Sequence, residues 1–259
     1  MIKLDITLWA EKSFKQLENL IRGRGVAILP IGSTEQHGPH LPVGTDHIIA
    51  WEVAKRVAER TGSLLLPLIP IGFSEDHYPK AGTLTLSAET LRRMIRDLAK
   101  SLSRNGVKHI VVISGHAGHL AQLNDICYEL NVTGELGETL IHNISPFTLI
   151  PIEAYAGILE EEVLMHAEEL ETSLMLLLRP DLVDMKEAVK EIPDFIPKGL
   201  NTTAFMEGLR ILTTSKFLGR DLKHGVCGDP TLASKEKGEK ILELWINAIT
   251  EAVENATRT

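Results

Sequence analysis

Short apolar runs that alternate with longer segments of helical spacing constrain this fold more than any other feature of the chain. The runs lie at residues 26–31, 64–69, 110–113 and 139–144, and each is followed by Gly or polar residues. Runs of this kind are typical of strands buried on both faces of a parallel sheet. The alternation therefore predicts an α/β fold, a three-layer α/β/α sandwich with a mostly parallel central sheet.

Local sequence signals predict three helices. Asp46 opens a predicted helix at 46–60, Ser87 precedes one at 88–104, and an amphipathic pattern at 235–254 predicts a closing helix. Residues 181–230 are richer in Pro, Gly and Thr, and we expect an irregular excursion over the sheet there. With no repeat and no linker-like change in composition, residues 1–259 are predicted to form a single domain.

Composition excludes several classes of function. The 27 basic and 35 acidic residues give a net charge of −8, which argues against a nucleic-acid partner. The chain contains no long apolar run and its first residues lack a secretory pattern, so we expect a cytoplasmic protein without a membrane partner. With only two cysteines, Cys127 and Cys227, any metal should be held by nitrogen and oxygen.

The loop after the first predicted strand carries the strongest chemical signal. It reads GSTEQHGPHLPVGTDH and holds five possible metal ligands, namely Glu35, His37, His40, Asp46 and His47. Glu35 and His37 point to the same side of an extended chain, while Gly and Pro residues can bend the loop to bring Asp46 alongside. Carboxylate and imidazole donors suit Zn²⁺, Mn²⁺ or Fe²⁺, and Asp46 could bridge two ions.

A purely structural interpretation of this loop stays open. Asp46 would then only cap the following helix, and the histidines would hydrogen-bond the loop's own carbonyl groups. For His40 and His47 we favour such a structural role, or a role in orienting a ligating imidazole.

The second signal is HIVVISGHAGH at residues 109–119, a buried strand that enters a Gly-flanked turn. His116 would lie at the end of this strand, facing the first loop, and could add a nitrogen ligand. A phosphate cradle is the alternative, although the Lys-Ser/Thr of a Walker loop is missing. His119 stands one helical step further on, and it could be a ligand, line the substrate pocket or have a structural role.

The third signal is HAEELETSLMLLL, which begins at His166. His166 and Glu169 are three residues apart and would share a helix face, as a base and a ligand can. The alternative is a first turn enriched in acids for the helix dipole, which would account for Glu168 and partly for Glu171. His77, in the loop after the second strand, could line the same pocket.

These motifs resemble the creatininase (creatinine amidohydrolase) superfamily of metal-dependent hydrolases. The matching segments are LPIGSTEQHGPHLPVGTD, HYPKAGTLTLS, ISGHAGH, HAEELETSLMLLLRP and GVCGDPTLASKEKG, between residue 29 and about residue 238. The resemblance implies a three-layer fold, two divalent ions and a homo-oligomer, often a hexamer. It also implies Glu35, Asp46 and His116 as ligands of one ion, His37 with Asp46 for the other, and His166 as the catalytic histidine.

Two departures from the family pattern affect the expected site. Creatininase itself has a metal-binding glutamate where this chain has Gly118, so we expect Glu169, with His119 as competitor, to complete the second ion's ligands. Creatininase also packs its substrate against tryptophans, and one of them corresponds to Glu162 here. The three tryptophans of this chain, Trp9, Trp51 and Trp245, match none of those places. Creatinine is therefore not the expected substrate.

The sequence predicts a hydrolase that cleaves a C–N bond, in a cyclic amide or related small molecule, with water activated between two metal ions. His166 would pass a proton to the leaving nitrogen. Alternatives are the opening of a carbocyclic ketone, a formamide deformylase, and a metal-stabilised sensor of small molecules.

Overall fold

The computed structural model of the protein describes residues 6–258 and contains one parallel sheet. Its strands are β1 (Thr7–Leu8), β2 (Val26–Ile31), β3 (Leu64–Leu65), β4 (His109–Ser114) and β5 (Leu140–Asn143). They are hydrogen-bonded in the order β1-β3-β2-β4-β5, and every pairing is parallel. The predicted parallel sheet is confirmed.

Helices cover both faces of this sheet. In the described part of the chain they are α1 (Phe14–Arg24), α2 (Thr45–Thr61), α3 (Ala88–Arg104), α4 (Leu120–Thr133), α5 (Pro146–Leu149), α6 (Glu169–Leu178), α7 (Thr202–Thr214), α8 (Leu218–Asp221) and α9 (Lys235–Ala256). Side chains alternate along β2, so Ile28 packs with α2, α6 and α9, whereas Ala27 and Leu29 pack with α1, α3 and α4. The predicted three-layer sandwich is therefore confirmed.

Two boundaries differ from the sequence prediction for identifiable reasons. The strand predicted at 64–69 ends at Leu65, because Pro67 has no N–H to donate, and pairing returns only as a bridge between Ile31 and Ile69. The stretch predicted as irregular, 181–230, contains helices α7 and α8. The side chain of Asn201 caps α7 by accepting from the N–H of Ala204.

No helix among residues 6–258 is both long and apolar enough to cross a bilayer.

Candidate metal centre

The site forms where strands β2 and β4 end side by side. Ile31 and Ser114 are register partners at the carboxyl ends of these strands. Glycines follow both strands, and a Cβ on either would collide with the first turn of α2: 2.4 Å from the His47 backbone at Gly32, and 2.3 Å from a carbonyl oxygen at Gly115. The missing side chains let α2 approach the sheet edge, which brings its acidic first turn between the two loops.

One set of donors combines both loops with α2. His116 Nδ1 lies 3.2 Å from Glu35 Oε1 and 3.1 Å from Asp46 Oδ2. All three residues are buried. These separations are those of atoms that share a cation or a proton, so Glu35, Asp46 and His116 could hold one ion.

A second set uses the other oxygen of the same aspartate. Asp46 Oδ1 lies 3.0 Å from His37 Nε2, which is 3.7 Å from Glu171 Oε2. His37, Asp46 and Glu171 form one of the described groups whose ligand atoms could hold a metal ion. Asp46 thus presents one oxygen to each set, as a carboxylate that bridges two ions must.

The tautomer of His37 provides the test of whether a cation fits. Its Nδ1 is 3.1 Å from the carbonyl oxygen of Glu35, which can only accept, so Nδ1 carries the proton of the neutral ring. The Nε2 lone pair then faces the carboxylates of Asp46 and Glu171. Burial disfavours the charged ring, yet these two carboxylates raise the pKa of His37 well above its usual value. Only a proton or a metal cation can satisfy this arrangement, and a divalent ion does so without charging the ring.

The first set shows the same need for positive charge. Burial raises the pKa of Glu35, even though His116 acts to lower it. The pKa of Asp46 lies well below its usual value because the nearby His37 and His116 outweigh the effect of burial. Glu35 Oε1 is buried and accepts no hydrogen bond from any described residue. A buried carboxylate oxygen without a donor is costly unless a cation compensates it.

The structure corrects the prediction that Glu169 completes the second set. One carboxylate oxygen of Glu169 accepts the backbone N–H groups of Glu160 and Glu161, at 2.8 and 2.9 Å. The other is paired with Lys237. Glu171 is the glutamate of α6 that lies beside His37, and its Oε2 also accepts the N–H of Ala167 at 2.7 Å.

The error came from treating His166 as helical. The helix begins only at Glu169, and the preceding Ala167 has a positive φ of 52°. A spacing of three residues therefore does not place His166 and Glu169 on one face. The signal that could have identified Glu171 is an N-cap at Glu168. The carboxylate of Glu168 accepts the N–H groups of Leu170 and Glu171.

His166 lies beside the donor sets with a defined tautomer. Its Nε2 donates to the carbonyl oxygen of Gln36 at 2.8 Å, which leaves the Nδ1 lone pair 4.0 Å from Glu35 Oε1. The ring centroid is 4.4 Å from that of His37. Burial, helped by the neighbouring His37, lowers the pKa of His166 to about 4, so the ring is neutral at pH 7 and can accept a proton.

The structure does not place His119 as a metal ligand. Its Nε2 accepts the N–H of Phe73 at 3.1 Å, and its Nδ1 lies 3.1 Å from Ser114 Oγ. Both ring nitrogens are therefore engaged, and the ring holds the turn against the loop after β3.

The remaining loop histidines also make structural contacts. His40 Nε2 is 2.9 Å from Thr172 Oγ1 on α6, and His47 Nδ1 donates to the carbonyl oxygen of Ser33 at 3.1 Å. His77 is different: its buried Nε2 reaches the site and lies 3.1 Å from Glu35 Oε1.

Comparison with known proteins identifies the family. The Creatininase model, described as creatinine amidohydrolase, matches residues 10–253. This chain belongs to the creatininase family. The relatives are hydrolases, and this chain is a metal-dependent hydrolase of the creatininase family.

Full-length relatives support this assignment. Creatinine amidohydrolase of Pseudomonas putida is 28% identical over 94% of both chains. A mycofactocin precursor peptide peptidase of Mycolicibacterium smegmatis is 27% identical over 92% of this chain and 87% of its own length. A solved mutant creatininase of Zn–Zn type superposes with a TM-score of 0.80 at 27% identity, over 98% of this chain and 100% of the other.

The tryptophans of this chain lie away from the donor sets. Trp245 is buried in the core and donates to the hydroxyl of Tyr155 at 2.7 Å. Trp9 packs against the core on the α3 face, and Trp51 packs against the core on the α9 face. Glu162, where creatininase is expected to carry a tryptophan, is exposed.

Proposed function

We propose that this protein hydrolyses the C–N bond of a small amide with two divalent ions held by the two donor sets. The observation that carries the proposal is Asp46, whose two carboxylate oxygens face different histidines at 3.0 and 3.1 Å. Glu35 and His116 would complete one set, and His37 and Glu171 the other. The mixed nitrogen and oxygen donors suit zinc or manganese.

Divalent ions at these positions would lower the pKa of a coordinated water and polarise the substrate carbonyl. The chain's own residues supply the rest of the chemistry. Asp46 would keep the two sets together, and the carbonyl of Glu35 would hold His37 in its ligating tautomer through Nδ1–H. Burial of all these groups excludes bulk water and so strengthens each electrostatic interaction.

His166 is proposed to carry the proton. The carbonyl of Gln36 holds its Nε2–H, so Nδ1 is the nitrogen that can take a proton from water and give it to the leaving nitrogen. With a pKa of about 4, the His166 ring is neutral at pH 7, and its Nδ1 is unprotonated. Removing such a group should cost roughly 10²- to 10⁴-fold in turnover.

The substrate is proposed to be an amide other than creatinine. The tryptophans that the family resemblance leads one to expect around creatinine lie elsewhere in this chain, and Trp245 is committed to the core. A panel of creatinine, hydantoins, N-formyl amines, short peptides and cyclic ketones separates the cyclic-amide hypothesis from the deformylase and ketone alternatives.

The test is metal stoichiometry combined with turnover. Protein loaded with zinc or manganese should hold close to two ions per chain by elemental analysis and hydrolyse an amide of the panel until a chelator is added. Asp46→Asn should weaken both sites, whereas His166→Ala should keep both ions and lose turnover. A reproducible value of one ion or none after loading, or turnover that survives metal removal, would overturn the proposal. Two ions without turnover on any compound would favour the sensor instead.

We also propose that residues 1–259 act as one domain, in a homo-oligomer in the cytoplasm. The family match over most of the chain supports the single domain.

A further inference from the structure

Two backbone groups fix the orientation of the Gln36 side chain. Its Oε1 accepts the N–H of Gly38 at 3.1 Å, and its Nε2 donates to the carbonyl oxygen of Gly225 at 3.1 Å. Rotating the amide by 180° would place its NH₂ group against the N–H of Gly38 and its oxygen against the carbonyl oxygen of Gly225, and neither contact could be a hydrogen bond. A Cβ at Gly225 would come within 2.1 Å of Oε1, so Gly225 lets the amide fit.

This orientation assigns the second hydrogen of the amide. Two ring nitrogens are near Gln36 Nε2: His77 Nδ1 at 3.2 Å and His166 Nε2 at 3.3 Å. His166 Nε2 already carries a proton, which it donates to the carbonyl of Gln36, and so cannot accept. The remaining amide hydrogen therefore goes to His77 Nδ1.

It follows that neutral His77 carries its proton on Nε2. Because Nδ1 accepts that amide hydrogen, it is unprotonated, and the single proton of the ring lies on Nε2. A metal-ligating histidine instead donates its other ring N–H to a carbonyl or carboxylate, as His37 does to Glu35. His77 faces an amide donor at that place, which is the wrong partner for a ligand.

The N–H of His77 points into the site without being used. Nε2 is buried and forms no hydrogen bond with any described residue. It lies 3.1 Å from Glu35 Oε1, and Glu35, His77 and His116 form one of the described groups whose ligand atoms could hold an ion. The amide hydrogen at Nδ1, however, leaves Nε2 protonated and therefore unable to ligate. The ring lies 4.6 Å from that of His166, on the side where the proposed proton carrier acts.

We propose that His77 is a catalytic hydrogen-bond donor to the oxygen of the scissile amide, and that Gln36 is the positioning residue that fixes its tautomer. The inference rests on the proposed amide hydrolysis. As water adds to the carbonyl carbon, negative charge builds on the carbonyl oxygen and strengthens its hydrogen bond from Nε2–H. The proton stays on His77 throughout, and His166 handles the proton that moves. A donor placed in advance for such an oxygen typically contributes about 10²- to 10³-fold in turnover.

Substitution of His77 separates a donor from a ligand. Zinc-loaded His77→Ala should keep the wild-type zinc content, and on the panel compound that wild type hydrolyses fastest it should lose about 10²-fold in kcat with little change in KM. His77→Gln, which keeps an N–H donor, should recover part of that loss. Loss of an ion from His77→Ala, or unchanged kcat in it, would overturn the inference.

The tautomer can be observed directly. Long-range ¹H–¹⁵N NMR of the zinc-loaded protein, with the His77 signals assigned by their absence in His77→Ala, should show a protonated Nε2 and an unprotonated Nδ1. Gln36→Glu replaces the amide donor by an acceptor of the same shape, so it should move the proton to Nδ1, lower kcat and leave zinc content unchanged. A protonated Nδ1 in the wild type would identify His77 as an ion ligand and refute the inference.

These outcomes are distinguishable from failure of the proposed function. Wild-type protein that hydrolyses no amide of the panel would refute amide hydrolysis itself, and this inference with it. Wild-type hydrolysis with full activity in His77→Ala would refute only the role of His77.

Discussion

The same Glu→Gln substitution should affect different properties at two glutamates of α6, Glu169 and Glu171: fold stability at one and metal affinity at the other. Glu171→Gln removes a charge that faces His37 Nε2 at 3.7 Å but keeps the shape of the side chain. Glu169→Gln makes the same chemical change where the carboxylate is paired with Lys237 and two backbone N–H groups. The first should weaken one metal site, and the second should weaken the fold.

The magnitudes follow from what each carboxylate contacts. If Glu171 is one of three protein ligands, losing it should cost at least as much as the 10- to 100-fold measured for residues that only support a ligand. We therefore expect about 100-fold weaker binding of one ion, which corresponds to about 2.7 kcal/mol. Glu169 is fully buried, whereas Lys237 keeps 15% of its side chain exposed and a second partner in Glu160. Breaking this pair should cost about 3 kcal/mol of unfolding free energy, near the lower end for buried pairs.

Zinc titration against a competing chelator measures the first effect, and urea unfolding of the metal-free variants measures the second. Glu171→Gln should retain one tightly held ion per chain, while Glu169→Gln should retain two and unfold at lower urea. The converse result, in which Glu169→Gln loses an ion and Glu171→Gln keeps both, would refute the assignment of Glu171.

Three further predictions use other parts of the chain. Gly118→Ala should weaken zinc binding by about 10-fold or more, because its Cβ would lie 2.3 Å from His116 Nε2 and the ring would have to move. The control is Gly23→Ala in α1, where nothing lies within 4 Å; it should leave zinc binding unchanged and stabilise the helix by about 1 kcal/mol. Equal zinc titrations for both variants would contradict this reasoning. Burial raises the pKa of the Cys127 thiol to about 12 and that of Cys227 well above its usual value. Since the thiolate is the reactive form, both cysteines should resist a disulfide reagent at pH 8 until the protein unfolds. Rapid labelling of the folded protein would disprove this prediction. The family resemblance predicts a hexamer, for which light scattering after gel filtration should give six times the chain mass, and a monomer would count against it.

The sequence by itself determined the layers of the fold and the chemistry of the site. Apolar runs of strand length, separated by segments with helical spacing, can be buried only as a parallel sheet between helices. The many carboxylates and imidazoles in the loop after β2 predicted a metal centre whose ligands are nitrogen and oxygen atoms and not thiolates. Glu35, His37 and Asp46 lie together, because Gly and Pro residues in one short loop limit how far apart these side chains can be. His116 joins them from the end of the neighbouring strand β4, as predicted for a second strand end that faces the first loop.

Only the tertiary structure decided which residue of α6 faces that centre. Successive helical residues are rotated by about 100°, so side chains two positions apart point to nearly opposite sides. Whether Glu169 or Glu171 faces His37 depends on where the helix begins and how it docks, and Lys237 of α9 is 68 residues away from Glu169 in sequence. The tautomer of His77 was equally inaccessible, because it depends on Gln36 and through it on Gly225, 189 residues further along the chain. Contacts between such distant segments are set by packing of the whole sheet and its helices, which no local pattern encodes.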